Sequence, residues 1–202
     1  AGRRANTGGL GLEDIGVKTD ARGYIVTRDD MQTTVPGIYA AGDVTDRDQF
    51  VYMAAYGAKL AAKNAVLGDD LRYDNSVMPW VVFSDPQVAG VGLSEQQARD
   101  AGFDVKTSVV PLDQVPRALA ARDTRGLIKL VADKATDRLL GGQIIAPEGS
   151  DTIQTLVMAL KFGMTTKALG ETIFPYLTTV EGLKLAAQTF DMDVAKLSCC
   201  AG

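Results

Sequence analysis

The sequence predicts an α+β fold, and three observations carry that prediction. Compact apolar strand patterns crowd between residues 80 and 146, and helical patterns follow between 151 and 190. Ahead of both lies an Ala-rich helical stretch that runs into a polar, turn-rich segment at 69–78. Strands followed by helices, rather than strict alternation, is the α+β signature. The segment at 69–78 marks the expected boundary. It separates a first domain at 1–70 from a second at 78–195, with a short tail at 196–202.

Taken in order, residues 24–26 (Tyr-Ile-Val) follow the turn signal Ala21-Arg22-Gly23 and read as a short strand. The run 35–41 reads as a buried strand that stops at Gly42-Asp43. Residues 51–67 place Met53, Gly57, Leu60 and Ala61 at helical spacing, and Gly68 closes the helix. Beyond the boundary, 80–83 is a compact apolar strand and 87–92 reads as its neighbour. Ser94-Glu95-Gln96-Gln97 is a capping box that starts a short helix stopped by Gly102. Residues 105–111 form a further strand, and 127–132 with 139–146 flank a turn, the pattern of an antiparallel hairpin. Three helices close the chain: 151–162, a short one near Lys167, and 180–190.

Composition excludes several functions. The 202 residues are 46% hydrophobic and 23% charged, ordinary for a globular chain. Lys and Arg number 21 against 25 Asp and Glu, a net charge of −4, so there is no electrostatic case for nucleic acid or an anionic membrane. No apolar run approaches the ~18 residues of a membrane span. The chain has no His, which excludes from it a Ser-His-Asp triad, an imidazole base and a His-ligated zinc site. Its two cysteines are adjacent, Cys199 and Cys200, and no signal peptide is evident, so a reducing, cytoplasmic setting is expected. The opening at Ala1, inside what reads as an ordered segment, is expected of a fragment.

Two glycine pairs imitate a nucleotide loop. Gly9-Leu10-Gly11 and Gly90-Val91-Gly92 both lack the third glycine of G-x-G-x-x-G and read as turns. Asp43 is more informative. A strand that ends in Gly-Asp sets a carboxylate and a bare backbone at a sheet edge, and a helix starting near Val51 offers its N-terminal N–H groups to an electron-rich atom. The same residues would equally serve as a plain turn.

Three segments, taken together, resemble the C-terminal half of the FAD-dependent pyridine nucleotide–disulfide oxidoreductases. They are Gly2-Arg3-Arg4-Ala5-Asn6-Thr7, the run from Gln32 through Val35-Pro36-Gly37-Ile38-Tyr39-Ala40-Ala41-Gly42-Asp43 to Val44, and the run Val82-Phe83-Ser84-Asp85-Pro86 through Gly92 to Glu95. Ala5 stands where the family usually has Pro. The resemblance implies the C-terminal part of an FAD-binding α/β domain, then an antiparallel-sheet-plus-helices dimerisation domain. It implies that Asp43 bonds the ribityl chain of FAD and that the backbone N–H near Val51 faces the isoalloxazine ring. A homodimer would form through residues after about 79, and the NADPH-binding region and most of the FAD-binding region would lie outside this chain.

Phe174-Pro175-Tyr176-Leu177-Thr178-Thr179-Val180-Glu181 resembles the family's C-terminal motif, in which a His is followed five residues later by a Glu. In the family that pair is the acid–base of the partner subunit's active site. Here Tyr176 stands at the His position and Glu181 is kept, so the resemblance makes these two the candidate catalytic residues. A phenol, with an ordinary pKa near ~10, does not shuttle protons at neutral pH as imidazole does, but it donates a hydrogen bond to a thiolate. Thr178-x-x-Glu181 is also a capping box, and Tyr176 would also suit an interface aromatic.

Cys199 and Cys200 have Cα atoms about 3.8 Å apart across a trans peptide, shorter than the usual disulfide span, so the pair tends to stay a dithiol. Two soft thiolates on a terminus suit a soft cation, and without a third Cys or a His they make neither a structural zinc site nor an iron–sulfur site. Tail and Tyr176 together resemble the Hg(II)-reducing branch of the family. There the dithiol takes Hg(II) and passes it to the partner's redox-active cysteines, and FAD reduced by NADPH supplies two electrons. The alternatives are a glutathione-reductase-like or dihydrolipoamide-dehydrogenase-like enzyme, and a non-catalytic dimerisation and metal-scavenging module.

Overall fold

The structure is a computed structural model and describes residues 2–193. The chain forms two compact units that divide between Asp74 and Asn75.

In the first unit the dominant element is α1 (Val51–Leu67), with the bounds its sequence pattern predicts and with Gly68 in the left-handed conformation, φ 71°. Met53 and Leu60 of α1 are buried, as are Val17, Tyr24 and Met31. Asn64, also buried, is fully used. Its amide nitrogen donates to the carbonyls of Asp30 and Leu71 at 2.9 Å each, and its oxygen accepts from Leu71 N–H at 3.0 Å. These bonds fasten the segment after α1 to the helix, as buried polar groups require.

Two strands expected in this unit do not form. Residues 24–26 contribute only the isolated bridge of Ile25 to Thr19. The run 35–41 is half-buried and begins with a turn. Pro36 has no N–H to give a ladder, Gly37 sits at φ 82°, and Ile38 N–H closes back on the Val35 carbonyl at 3.2 Å. Only Tyr39 pairs, in an isolated bridge to Gln32.

The second unit is built on a five-stranded sheet, β1 (Trp80–Val82), β2 (Gln87–Gly92), β3 (Val105–Pro111), β4 (Leu127–Asp133) and β5 (Leu139–Ala146). Its spatial order is β1-β2-β5-β4-β3, antiparallel throughout. Side chains alternate across the sheet as the two-residue period demands. Ile128 and Leu130 face the main core, while the next residue, Val131, faces a smaller cluster with Ala98 of α2 (Glu95–Asp100). The main core is closed by α4 (Gly149–Lys161) and α6 (Glu181–Gln188), through residues such as Ile153, Leu156 and Leu183, with α5 (Thr166–Glu171) packed on α6.

The capping box that starts α2 is formed: Ser94 Oγ accepts from Gln97 N–H, and Gln97 Oε1 accepts from Ser94 N–H. Unforeseen were a 3-10 turn at Leu112–Gln114 and α3 (Pro116–Ala121), whose only strong signal is Pro at its first position. Gly90 and Gly92, which also read as a turn pair, lie in β2, and that strand keeps the bounds 87–92 expected of it. The Trp80 ring covers Gly90 so closely that a Cβ there would lie 2.5 Å from the indole, which is why a strand carries a glycine at that point.

On the face opposite the main core, Glu95 meets Lys129 Nζ at 2.7 Å and Arg99 at 2.8 Å. The hydrogen bond from Lys129 first, and that from Arg99 second, hold the Glu95 carboxyl down at about 2 against an ordinary 4.5. A depressed carboxylate contributes stability that is present above its unfolded value and is lost as pH falls through the folded one. Substituting Lys129→Met is therefore expected to return the Glu95 pKa toward 4.5 and to flatten the acid limb of the stability curve between about pH 4.5 and 2. Carboxyl NMR titration of the two proteins measures this, and an unmoved Glu95 would contradict it.

Candidate functional site

The residues singled out by sequence fall at two places, one in each unit, and on the tail. In the first unit, Gly42 adopts φ 80°, and Asp43–Thr45 form a single 3-10 turn in which Thr45 N–H and Oγ both bond the Gly42 carbonyl. A Cβ at position 42 would stand 3.1 Å from the Ala54 Cβ, so glycine lets this turn lie against α1. The Asp43 side chain is 58% exposed, with Arg3 Nη1 3.9 Å away.

Asp43 lines a cavity of about 450 Å³ whose polar lining residues also include Arg3, Arg4, Asn6, Tyr24 and Gln49. Arg3 is held there by donating to the Gln49 carbonyl at 2.8 Å, and Tyr24 Oη donates to the Arg3 carbonyl at 3.2 Å. Gln49 stands two residues before Val51, which is not itself in the lining. Val51 opens α1, is 84% exposed, and no side chain of Phe50 caps the helix there. This corner therefore offers a carboxylate acceptor, cationic and amide donors, and an open helix N-terminus. That donor set fits a ligand with hydroxyls and an electron-rich ring, as FAD has. Sequence reasoning missed Tyr24 and Gln49 as site residues and held Arg3 only as part of a family segment; their grouping depends on contacts across 21 to 46 positions of sequence.

In the second unit, Tyr176 lies in the loop ahead of α6 and Glu181 is that helix's first residue. Tyr176 is 61% exposed, while Glu181 is only 4% exposed. The expected capping box is present in altered form. Thr178 Oγ accepts from Glu181 N–H at 3.3 Å, but the Glu181 carboxylate reaches past Thr178 to accept from Leu177 N–H at 3.2 Å. Leu177 sits at φ 65°, a left-handed conformation that costs a branched residue roughly 1–2 kcal/mol, so the loop tip must be held from outside. Thr178 Oγ also donates to the Pro175 carbonyl at 2.8 Å. Glu181 thus braces the backbone next to Tyr176.

Cys199 and Cys200 lie outside the described residues. Among the described residues, no group of three or more His, Cys, Asp or Glu is placed to hold a metal, and no helix is long and apolar enough to cross a membrane.

Comparison with known proteins bears on both places. Residues 78–187 match the dimerisation domain of the pyridine nucleotide-disulphide oxidoreductases, and residues 1–62 match a second domain of that family. Mercuric reductases of Bacillus cereus and Lysinibacillus sphaericus are each 52% identical over 201 residues, and that of Streptomyces lividans is 49% identical. Each alignment covers 100% of this chain but only 32%, 37% and 42% of the respective relative, so the chain spans well under half their length. Among solved structures, the HOCl-induced flavoprotein disulfide reductase RclA of Escherichia coli superposes with a TM-score of 0.86 at 30% identity, covering 93% of this chain and 43% of that one. LpdA of Mycobacterium tuberculosis gives 0.85 at 27% identity, covering 93% and 41%.

Proposed function

Since the chain belongs to the pyridine nucleotide–disulphide oxidoreductase family, we propose that it is part of an NADPH- and FAD-dependent reductase of Hg(II) to elemental mercury. The observation that carries this reading is the identity of about half the residues to mercuric reductases, sustained over 201 positions. In this reading the enzyme is a homodimer assembled through residues after about 79 and works in a reducing, cytoplasmic setting. The match to a dimerisation domain at 78–187 supports that assembly.

The roles divide between the two places and the tail. Cys199 and Cys200 capture Hg(II) as a dithiolate and deliver it by thiolate exchange to the redox-active cysteines of the partner subunit. Each exchange breaks one mercury–sulfur bond as it forms another and needs no proton donor as strong as imidazolium. Tyr176 donates a hydrogen bond to the sulfur that is leaving or holding the metal. Glu181 keeps Tyr176 in place through the Leu177 N–H. At the other end, Asp43 accepts from ribityl hydroxyls, and the open N-terminus of α1 at Val51 faces the electron-rich edge of the ring. FAD, when bound, supplies the two electrons that Hg(II) takes up.

The test is direct. The full-length enzyme should convert Hg(II) to mercury vapour at the expense of NADPH, and NADPH-dependent reduction of glutathione disulfide or lipoamide in its place would overturn the reading. Tyr176→Phe removes one donor at the reacting sulfur, so turnover of Hg(II) is expected to fall by about 10- to 100-fold. NADPH-dependent reduction of an artificial dye, which bypasses the thiolates, should stay as it was. Undiminished Hg(II) turnover would remove Tyr176 from the site.

A further inference from the structure

We infer that Glu148 is a positioning residue for the loop that carries Tyr176, acting through Thr179. The inference rests on the reading of Tyr176 given above. Thr179 lies three residues beyond Tyr176, is 8% exposed, and donates its hydroxyl to Glu148 Oε2. Glu148 stands immediately before Gly149, the first residue of α4, where a negative charge is favoured by the helix dipole. Arg117 of α3 lies 3.7 Å from the other carboxylate oxygen, Oε1, so the two oxygens of Glu148 have separate partners. Behind Glu148, α4 is anchored in the main core by Ile153, Leu156 and Val157.

The loop is therefore held twice. Glu181, at the start of α6, takes the N–H of Leu177, and Glu148, at the start of α4, takes the hydroxyl of Thr179. Leu177, whose N–H is the first of these points, sits at φ 65°, a conformation the residue does not keep without support. Releasing the Thr179 end lets the tip relax toward ordinary backbone and moves the phenol. Misplacement of a reacting group by about 1 Å can cost on the order of 100-fold in rate. Glu148 is half-exposed and does not adjoin Tyr176 in sequence, so its effect on chemistry would pass through the loop.

The experiment uses the full-length flavoenzyme. Thr179→Val keeps the side-chain shape and removes the donor, while Thr179→Ser keeps the donor. Glu148→Ala removes the acceptor, while Glu148→Gln keeps one. Thr179→Val and Glu148→Ala are expected to lower kcat for Hg(II) by about 10-fold, with KM for NADPH and dye reduction unchanged, and the Ser and Gln variants should restore most of the rate. In a double-mutant cycle, Thr179→Val should cost nothing further once Tyr176→Phe is present, because both losses act at one phenol. A 3-fluorotyrosine placed at 176 should shift or broaden its fluorine resonance in Thr179→Val but not in Thr179→Ser, a readout that a purely structural contact would not move.

If Tyr176→Phe lowers turnover but Thr179→Val and Glu148→Ala do not, the inference about Glu148 is wrong and the reading of Tyr176 stands. Additive losses in the cycle also overturn it. If Tyr176→Phe leaves turnover intact, it is the reading beneath the inference that fails.

Discussion

Replacing Cys199 and Cys200 together by alanine in the full-length enzyme is expected to lower kcat/KM for Hg(II) by about 100-fold when a small thiol is present in millimolar excess. Free thiols bind Hg(II) as thiolates and hold it in solution. A dithiol tethered to the enzyme competes by effective concentration, and it presents both ligands at once. Without the tail, the acceptor cysteines of the proposed partner site must take the metal directly from its solution thiol complex. The single replacements should fall between wild type and the double variant, since one thiolate still tethers the metal but cannot displace both solution ligands. Without competing thiol, the loss should shrink to a few-fold. An unchanged rate under competition would remove the tail from the pathway.

Replacing Gly141 by alanine should strongly destabilise the second unit. Gly141 pairs with Gly92 across β5 and β2, where the chain turns over the sheet toward α2. A Cβ at 141 would lie 2.1 Å from the Leu93 carbonyl oxygen and 2.6 Å from its nitrogen, both backbone atoms that cannot rotate away. Relief requires parting β2 from β5 where Leu93 N–H bonds the Leu140 carbonyl at 2.9 Å. Overpacking against movable side chains costs roughly 1–3 kcal/mol, and against backbone more. A cost of about 3 kcal/mol or above is a large part of the roughly 5–15 kcal/mol that holds a domain together. Thermal or urea unfolding measures it. A Tm within about 2 °C of the parent would contradict the packing described for this crossing.

Much of the second unit was legible because its signals are local. Strands 105–111 and 139–146 keep the predicted bounds, Ser94 and Gln97 name their own helix start, and Gly68 ends α1 where its pattern stops. What was not legible depends on partners distant in sequence. The run 35–41 is apolar enough for a strand, yet Pro36 and Gly37 turn it and only Tyr39 finds a bridge. Gly90 looked like turn chemistry because nothing in the sequence places the Trp80 ring over it. At six residues, α3 is too short to show a helical period. The candidate site divides the same way. Tyr176 and Glu181 could be singled out only against a family motif, Glu181 also fitting a capping pattern that the structure shifts by one residue, and Glu148 by neither. Its partner Thr179 lies 31 positions away.

In the proposed mechanism the tail of one subunit serves the active site of the other. Mixed dimers test it most directly, with one subunit lacking Cys199 and Cys200 and the other lacking the redox-active cysteine pair that the family resemblance implies. If delivery crosses the interface, the surviving tail and the surviving redox pair lie on opposite subunits and meet in one working site, so about half the wild-type activity under thiol competition should remain. Placing both defects on the same subunit, opposite a wild-type partner, separates the surviving groups and should leave almost none. The reverse order of activities would show delivery within a single subunit and would rule out delivery across the interface.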